Sequence, residues 1–155
     1  MLIIPLNNLW LFPAIERRGL SLTPLRRMGA GMVITGLSFA AVGILQALLD
    51  RGQPLSVLWQ AIPYLLLTFG EVLVSATGLE FAYTQAPRAM KGTIMSFWLL
   101  TISVGNLFTA GIAGLNVFTG AGQFYFFAGA IGLAAAVFAL LARRYVVQDF
   151  FQASP

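Results

Sequence analysis

Apolar and polar positions divide this chain into long hydrophobic runs separated by short charged islands. Four runs, over residues 27–49, 58–83, 93–115 and 123–142, are each about 20 residues long. That is the length a helix needs to cross a hydrocarbon core of about 30 Å. The pattern therefore predicts four transmembrane helices. A fifth run, 2–15, is shorter and carries Pro5, Asn7, Asn8 and Pro13. At 1.5 Å per residue it reaches about 21 Å, too little for a span. It also lacks the basic start and small-residue cleavage site of a secretory signal. We read 1–15 as the end of a helix whose beginning precedes this sequence.

Turn chemistry marks two of the breaks: DRGQP at 50–54 and TGAGQ at 119–123. The third contains Pro87, which disfavours helical geometry at the residue before it. Connections this short predict that successive spans pack as antiparallel neighbours. Alternate loops then divide the basic residues unequally. Arg17, Arg18, Arg26, Arg27, Arg88, Lys91, Arg143 and Arg144 fall on one side, and Arg51 alone on the other. Under the positive-inside rule the first side, with the C-terminus, is cytoplasmic. The partial helix would then enter from outside, which again suggests that earlier spans are missing.

Composition narrows the function. Hydrophobic residues make up 59% of the 155 and charged residues 9%, against roughly 25% charged in soluble domains. The chain is thus an integral membrane protein, one transmembrane region over 1–155 with the lipid bilayer as its surroundings. Cysteine and histidine are both absent, which removes disulfides, thiolate and imidazole metal sites and the usual nucleophile–base pairs. No enzyme activity, metal or organic cofactor is expected. The net charge of +4 comes from basic residues at span ends, the pattern of topology signals and not of a nucleic-acid interface. Glycines recur within the spans, where small residues allow close helix approach or act as hinges.

One ionisable group stands out. Glu71 lies 13 residues into the run that starts at Leu58, roughly 20 Å along a helix and so near the bilayer middle. A carboxylate there costs about 2.5–3.5 kcal/mol on insertion scales. Protonation, a cation on a neighbouring helix, or a water-filled cavity could compensate. Tyr64, Thr68, Ser75 and Gly78 share its helical face, so a hydroxyl stripe flanks the carboxylate, as in the lining of an aqueous pathway. A structural pairing with another helix is the alternative. The chain offers no intramembrane Lys or Arg to answer it, so a cationic partner would come from a ligand or another polypeptide. Glu80 lies near the cytoplasmic end, within reach of Arg88 and Lys91, either as a paired interfacial acid or in a functional role. Trp98 reads equally as an aromatic-belt residue or a cavity wall.

The stretch GEVLVSATGLEFAYTQAPRAMKGTIMSFWLLTISVGN, residues 70–106, closely resembles the tenth and eleventh helices of the proton-dependent oligopeptide transporter (POT) family, a branch of the major facilitator superfamily. There GE, GLEF, Y-x-QAP, MK, WLLT and GN recur in this order. FPAIERRGLSLTPLRRMGAGM, residues 12–32, looks like that family's eighth-to-ninth helix connection.

The resemblance implies an all-α partial carboxyl-terminal bundle of about four and a half transmembrane helices. It lacks the amino-terminal bundle, which the same gene or a companion chain would supply. The implied function is proton-coupled symport of di- or tripeptides, with the proton as coupling ion. Glu71 matches the acid that meets the peptide's amino terminus and Trp98 the aromatic lining the pocket, with Ser75 as a neighbour in the site. Glu80, Tyr83, Gln85, Pro87 and Lys91 belong to a motif at the cytoplasmic end with a gating or structural role. The expected location is the inner membrane of a bacterium. Transport of amino acids or drugs, or a truncated membrane partner or remnant with no transport of its own, are the alternatives, since fold alone does not set substrate.

Overall fold

In a computed structural model of the chain, residues 23–115 and 117–145 are described. The partial helix expected over 1–15, with Arg17 and Arg18, lies outside them. Four α-helices follow in order: α1 (Pro24–Asp50), α2 (Ala61–Thr84), α3 (Lys91–Gly114) and α4 (Ala121–Arg144). One-turn 3-10 helices at Val57–Gln60 and Arg88–Met90 lead into α2 and α3. With its leading turn, α2 becomes a 28-residue span, Val57–Thr84, and all four helices are long and apolar enough to cross a membrane.

Each connection has a physical cause. Pro24 occupies the first turn of α1, where no amide donor is required. After α1 the chain turns at Gly52, with φ +76°, and the Gly52 amide donates to the Leu49 carbonyl at 2.8 Å. A left-handed residue closing a helix is the usual place for glycine. α2 stops at Thr84, and Pro87, with φ −54° and ψ 145°, directs the chain into the turn before α3. Gly120, with φ +57°, precedes α4. A Cβ there would stand 2.7 Å from Asp50 Oδ2. That carboxylate accepts the Ala121 amide at 3.4 Å while its other oxygen accepts Gln46 Nε2 at 2.9 Å. An acid from the end of α1 thus meets the positive end of the α4 dipole and ties the two helix ends together.

α1 is the hub. It packs along both α2 and α4, whereas α3 touches α2 over a short length, and α3 and α4 make no contact among the described residues. The expectation that successive spans are neighbours therefore holds for α1 with α2 and fails for α3 with α4. The reason is steric fit. α4 presents Ile131, Phe138 and Tyr125 to Gly36, Gly29 and Gly43 of α1, where missing side chains leave room, while none of the residues of α3 is buried.

Small residues set the α1–α2 crossing. A Cβ on Gly31 would stand 2.8 Å from Leu73 Cβ and 2.9 Å from the Gly70 carbonyl oxygen, and one on Gly70 would collide with the Thr35 hydroxyl. The two backbones pass too closely for any other residue, as expected where lipid supplies no hydrophobic drive and dispersion contacts must hold helices together. Farther along, Ser38 Oγ, 2% exposed, donates to the Pro63 carbonyl at 2.6 Å. This hydrogen bond joins two spans at a buried position.

Candidate functional site

The Gly70–Glu71 pair links packing to chemistry. Gly70 is buried against α1 and fixes which side of α2 faces it. Successive helical residues differ by about 100° around the axis. Glu71 is consequently turned away from α1, at the midpoint of the 28-residue span, and it is exposed. No hydrogen bond or ion pair of the Glu71 side chain is formed among the described residues. Ser75, one turn further, is also exposed and likewise unbonded among them.

The rest of the stripe behaves unevenly. Tyr64 is 68% exposed, beside a small cavity of about 190 Å³ shared with Ser38, Pro63, Leu67 and Phe124. Thr68 is half-buried and spends its hydroxyl proton on the Tyr64 carbonyl of its own helix at 2.9 Å. Thr101, Ser103 and Thr109 of α3 do the same, donating to Trp98, Leu99 and Gly105 carbonyls. Hydroxyls in apolar helices satisfy themselves in this way. The stripe is therefore a weaker sign of water than periodicity implied, and the polar demand concentrates on Glu71 and Ser75.

Gly78 departs from the stripe. It is buried, because the Trp98 indole of α3 lies directly against it with Met28 Cε of α1 on another side. The glycine of the GLEF motif is the seat for the tryptophan of WLLT. Gly78 is two turns from Glu71, roughly 10 Å along α2, so the half-buried Trp98 closes one end of the face that carries Glu71 and Ser75. The sequence alone left Trp98 between belt and wall. The missed signal was Gly78, whose lack of a side chain makes this seat.

Below Trp98 residues of the stretch 80–91 form two small clusters. Lys91 Nζ stands 4.0 Å from the centroid of the Tyr83 ring, a cation–π contact worth about 0.5–1 kcal/mol when exposed. Tyr145, just after α4, donates its hydroxyl to Gln85 Oε1 at 3.3 Å and meets Phe81 edge-on at 5.7 Å. Tyr83 and Lys91 are thus brought together, and Gln85 is engaged by the far end of the chain. Pro87 caps the turn into α3. Glu80 is exposed and forms no ion pair among the described residues, so its expected pairing with a basic neighbour is not seen there. Tyr145 has no counterpart in the sequence reading, since it follows the last apolar run.

Four apolar helices with one mid-span carboxylate left open on a partly walled face define a polytopic membrane protein with an incomplete polar site. Comparison with known proteins gives its kind. The model of the POT family matches residues 1–124. Peptide transporter 3 of Caenorhabditis elegans is 42% identical over 104 residues, covering 66% of this chain and 15% of that protein. Human solute carrier family 15 member 1 is 43% identical over 83 residues, covering 53% and 12%. Two crystal structures superpose well. An auto-inhibited POT family peptide transporter gives a TM-score of 0.88 at 47% identity over 99% of this chain and 33% of its own. The POT family transporter PepTSo, solved in meso, gives 0.85 at 57% identity over 96% and 32%. The chain belongs to the POT family, a family of transporters, and spans about a third of the solved relatives' length.

Proposed function

We propose that this chain forms one wall of the central site in a proton-coupled di- or tripeptide symporter, as its carboxyl-terminal part. The observation that carries this reading is Glu71: an acid at mid-span, turned from its packed neighbour, exposed, with no cation opposite it among the described residues. A charge at that depth requires water, a proton or a counter-ion. A peptide's α-ammonium supplies the counter-ion, and dissociation of the peptide restores the need for water or a proton. Trp98 forms the apolar wall at one end of the face, and Ser75 offers a hydroxyl beside the carboxylate.

Helices other than the four described supply the opposite wall, from the same polypeptide or from a companion chain. Transport then follows from rocking of two bundles about a midplane site. The Tyr83–Lys91 and Gln85–Tyr145 contacts hold the narrow end, which the excess of basic residues assigns to the cytoplasm. By the same orientation the C-terminus is cytoplasmic, in the inner membrane of a bacterium. The peptide names carried by relatives support the substrate class.

Reconstituted transporter carrying this sequence tests the reading. Under an inward proton gradient it should accumulate labelled dialanine, and excess dipeptide should compete where free alanine does not. Glu71→Gln should reduce uptake to background with membrane insertion intact; uptake equal to the parent would remove Glu71 from the site.

A further inference from the structure

On the side of α1 opposite its contact with α2, a second surface combines charge and depth. Gly31, Thr35 and Ser38 meet α2, while Val33, Leu37 and Ala40 line a groove toward α4 of about 610 Å³. On a 3.6-residue helix these two sets lie on opposing sides. The groove opens at its arginine-rich end into a cavity of about 650 Å³ lined by Arg26 and Arg143. Gly29, Ala30 and Ala139 line both cavities, so the basic mouth and the apolar groove are continuous.

We propose that this cleft binds an anionic phospholipid, with its phosphodiester at Arg26 and Arg143 and an acyl chain along the groove. Three features select that occupant. Both arginines stand at the ends of membrane-length helices, the level of lipid headgroups, where each basic residue attracts anionic lipid. From Gly29 to Ala40 the groove follows α1 for roughly 16 Å, about one leaflet of a hydrocarbon core near 30 Å thick. Among the described residues its walls carry only apolar side chains beyond the mouth, which suits a hydrocarbon chain and offers a soluble phosphate nothing below the two guanidinium groups. The site is separate from the Glu71 face and does not depend on the peptide reading.

Native mass spectrometry of the purified full-length protein, titrated with phosphatidylglycerol or with phosphatidylcholine of the same chains, tests this. The parent should retain phosphatidylglycerol preferentially. Arg26→Gln and Arg143→Gln should each lower that affinity roughly fivefold, leaving phosphatidylcholine unchanged, and Arg26→Lys with Arg143→Lys should restore it. Gly132→Leu fills the groove at a position where an added Cβ meets nothing within 4 Å. It should weaken both lipids without lowering the melting temperature. Arg51→Gln, at the other end of α1, should change neither. The proposal is overturned if the arginine substitutions leave the preference intact, or if glycerophosphoglycerol competes as well as the whole lipid. It is equally overturned if Gly132→Leu destabilises the protein with lipid retention unaltered, as a helix seated in the groove would cause.

Discussion

The two flanks of α2 are built from different residues and behave in opposite ways. Toward α1, Pro63, Gly70 and Leu73 are buried, and at Gly70 backbone meets backbone. Toward the other side, Tyr64, Glu71 and Ser75 are exposed, and α3 covers that side only where Trp98 rests on Gly78. The α1 flank is apolar with Gly70 at its closest approach, whereas the open flank carries a phenol, a carboxylate and a hydroxyl. In a membrane, close approach is what stabilises a helix pair, so a rigid flank needs small residues and an adaptable flank does without them. The rigid flank gives the open one a fixed aim, because a helix that cannot rotate against α1 cannot turn its carboxylate elsewhere.

Adjacent substitutions give the sharpest test of that division. Gly70→Leu should cost at least about 3 kcal/mol, through overpacking of a backbone contact, read as loss of monodisperse protein or a large fall in melting temperature. Glu71→Gln, one residue on, should shift stability by no more than about 0.5 kcal/mol while removing peptide uptake. Equal stability effects from the two would erase the distinction between flanks.

Gly78→Val should come next, at about 1–3 kcal/mol, by unseating Trp98. Emission from Trp98, with Trp10→Phe, Trp59→Phe and any tryptophan outside this chain replaced, should change with the glycine substitution and stay constant in Gly105→Ala, where an added Cβ meets nothing within 4 Å. Ser38→Ala should cost about 1 kcal/mol, the usual worth of a hydrogen bond between spans. The smallest effect belongs to Asp50→Asn, about 0.5 kcal/mol from a weaker interaction with the α4 dipole. It should appear as faster exchange of the first amides of α4 with α2 unaffected.

Much of the bundle was legible because the hydrocarbon thickness imposes a length on each run, and the helices α1 to α4 lie over the expected spans with ends shifted by a few residues. Glu71 was legible for the same reason: an acid amid apolar residues is conspicuous. Partnership among helices was not. Short connections argued for α3 beside α4, yet α4 pairs with α1, where Gly29, Gly36 and Gly43 receive Phe138, Ile131 and Tyr125, while the glycines of α3 meet nothing within 4 Å. All the spans are apolar on most sides, so periodicity could not name the packed flank. The hydroxyl stripe misled in a related way. Thr68 satisfies itself within its helix, and Gly78 is covered by the ring of Trp98, seven residues after the start of the next helix.

Access to the open flank is the central claim; this chain contributes no cysteine, so once any cysteine elsewhere in the complete transporter is replaced, single cysteines measure it directly. Ser75→Cys and Leu73→Cys, treated in membranes with a small charged maleimide, should differ: the first labelled, and protected by dipeptide, the second unreactive beside Gly31. Labelling of Leu73→Cys to the same extent, or a Ser75→Cys that no aqueous reagent reaches, would contradict it.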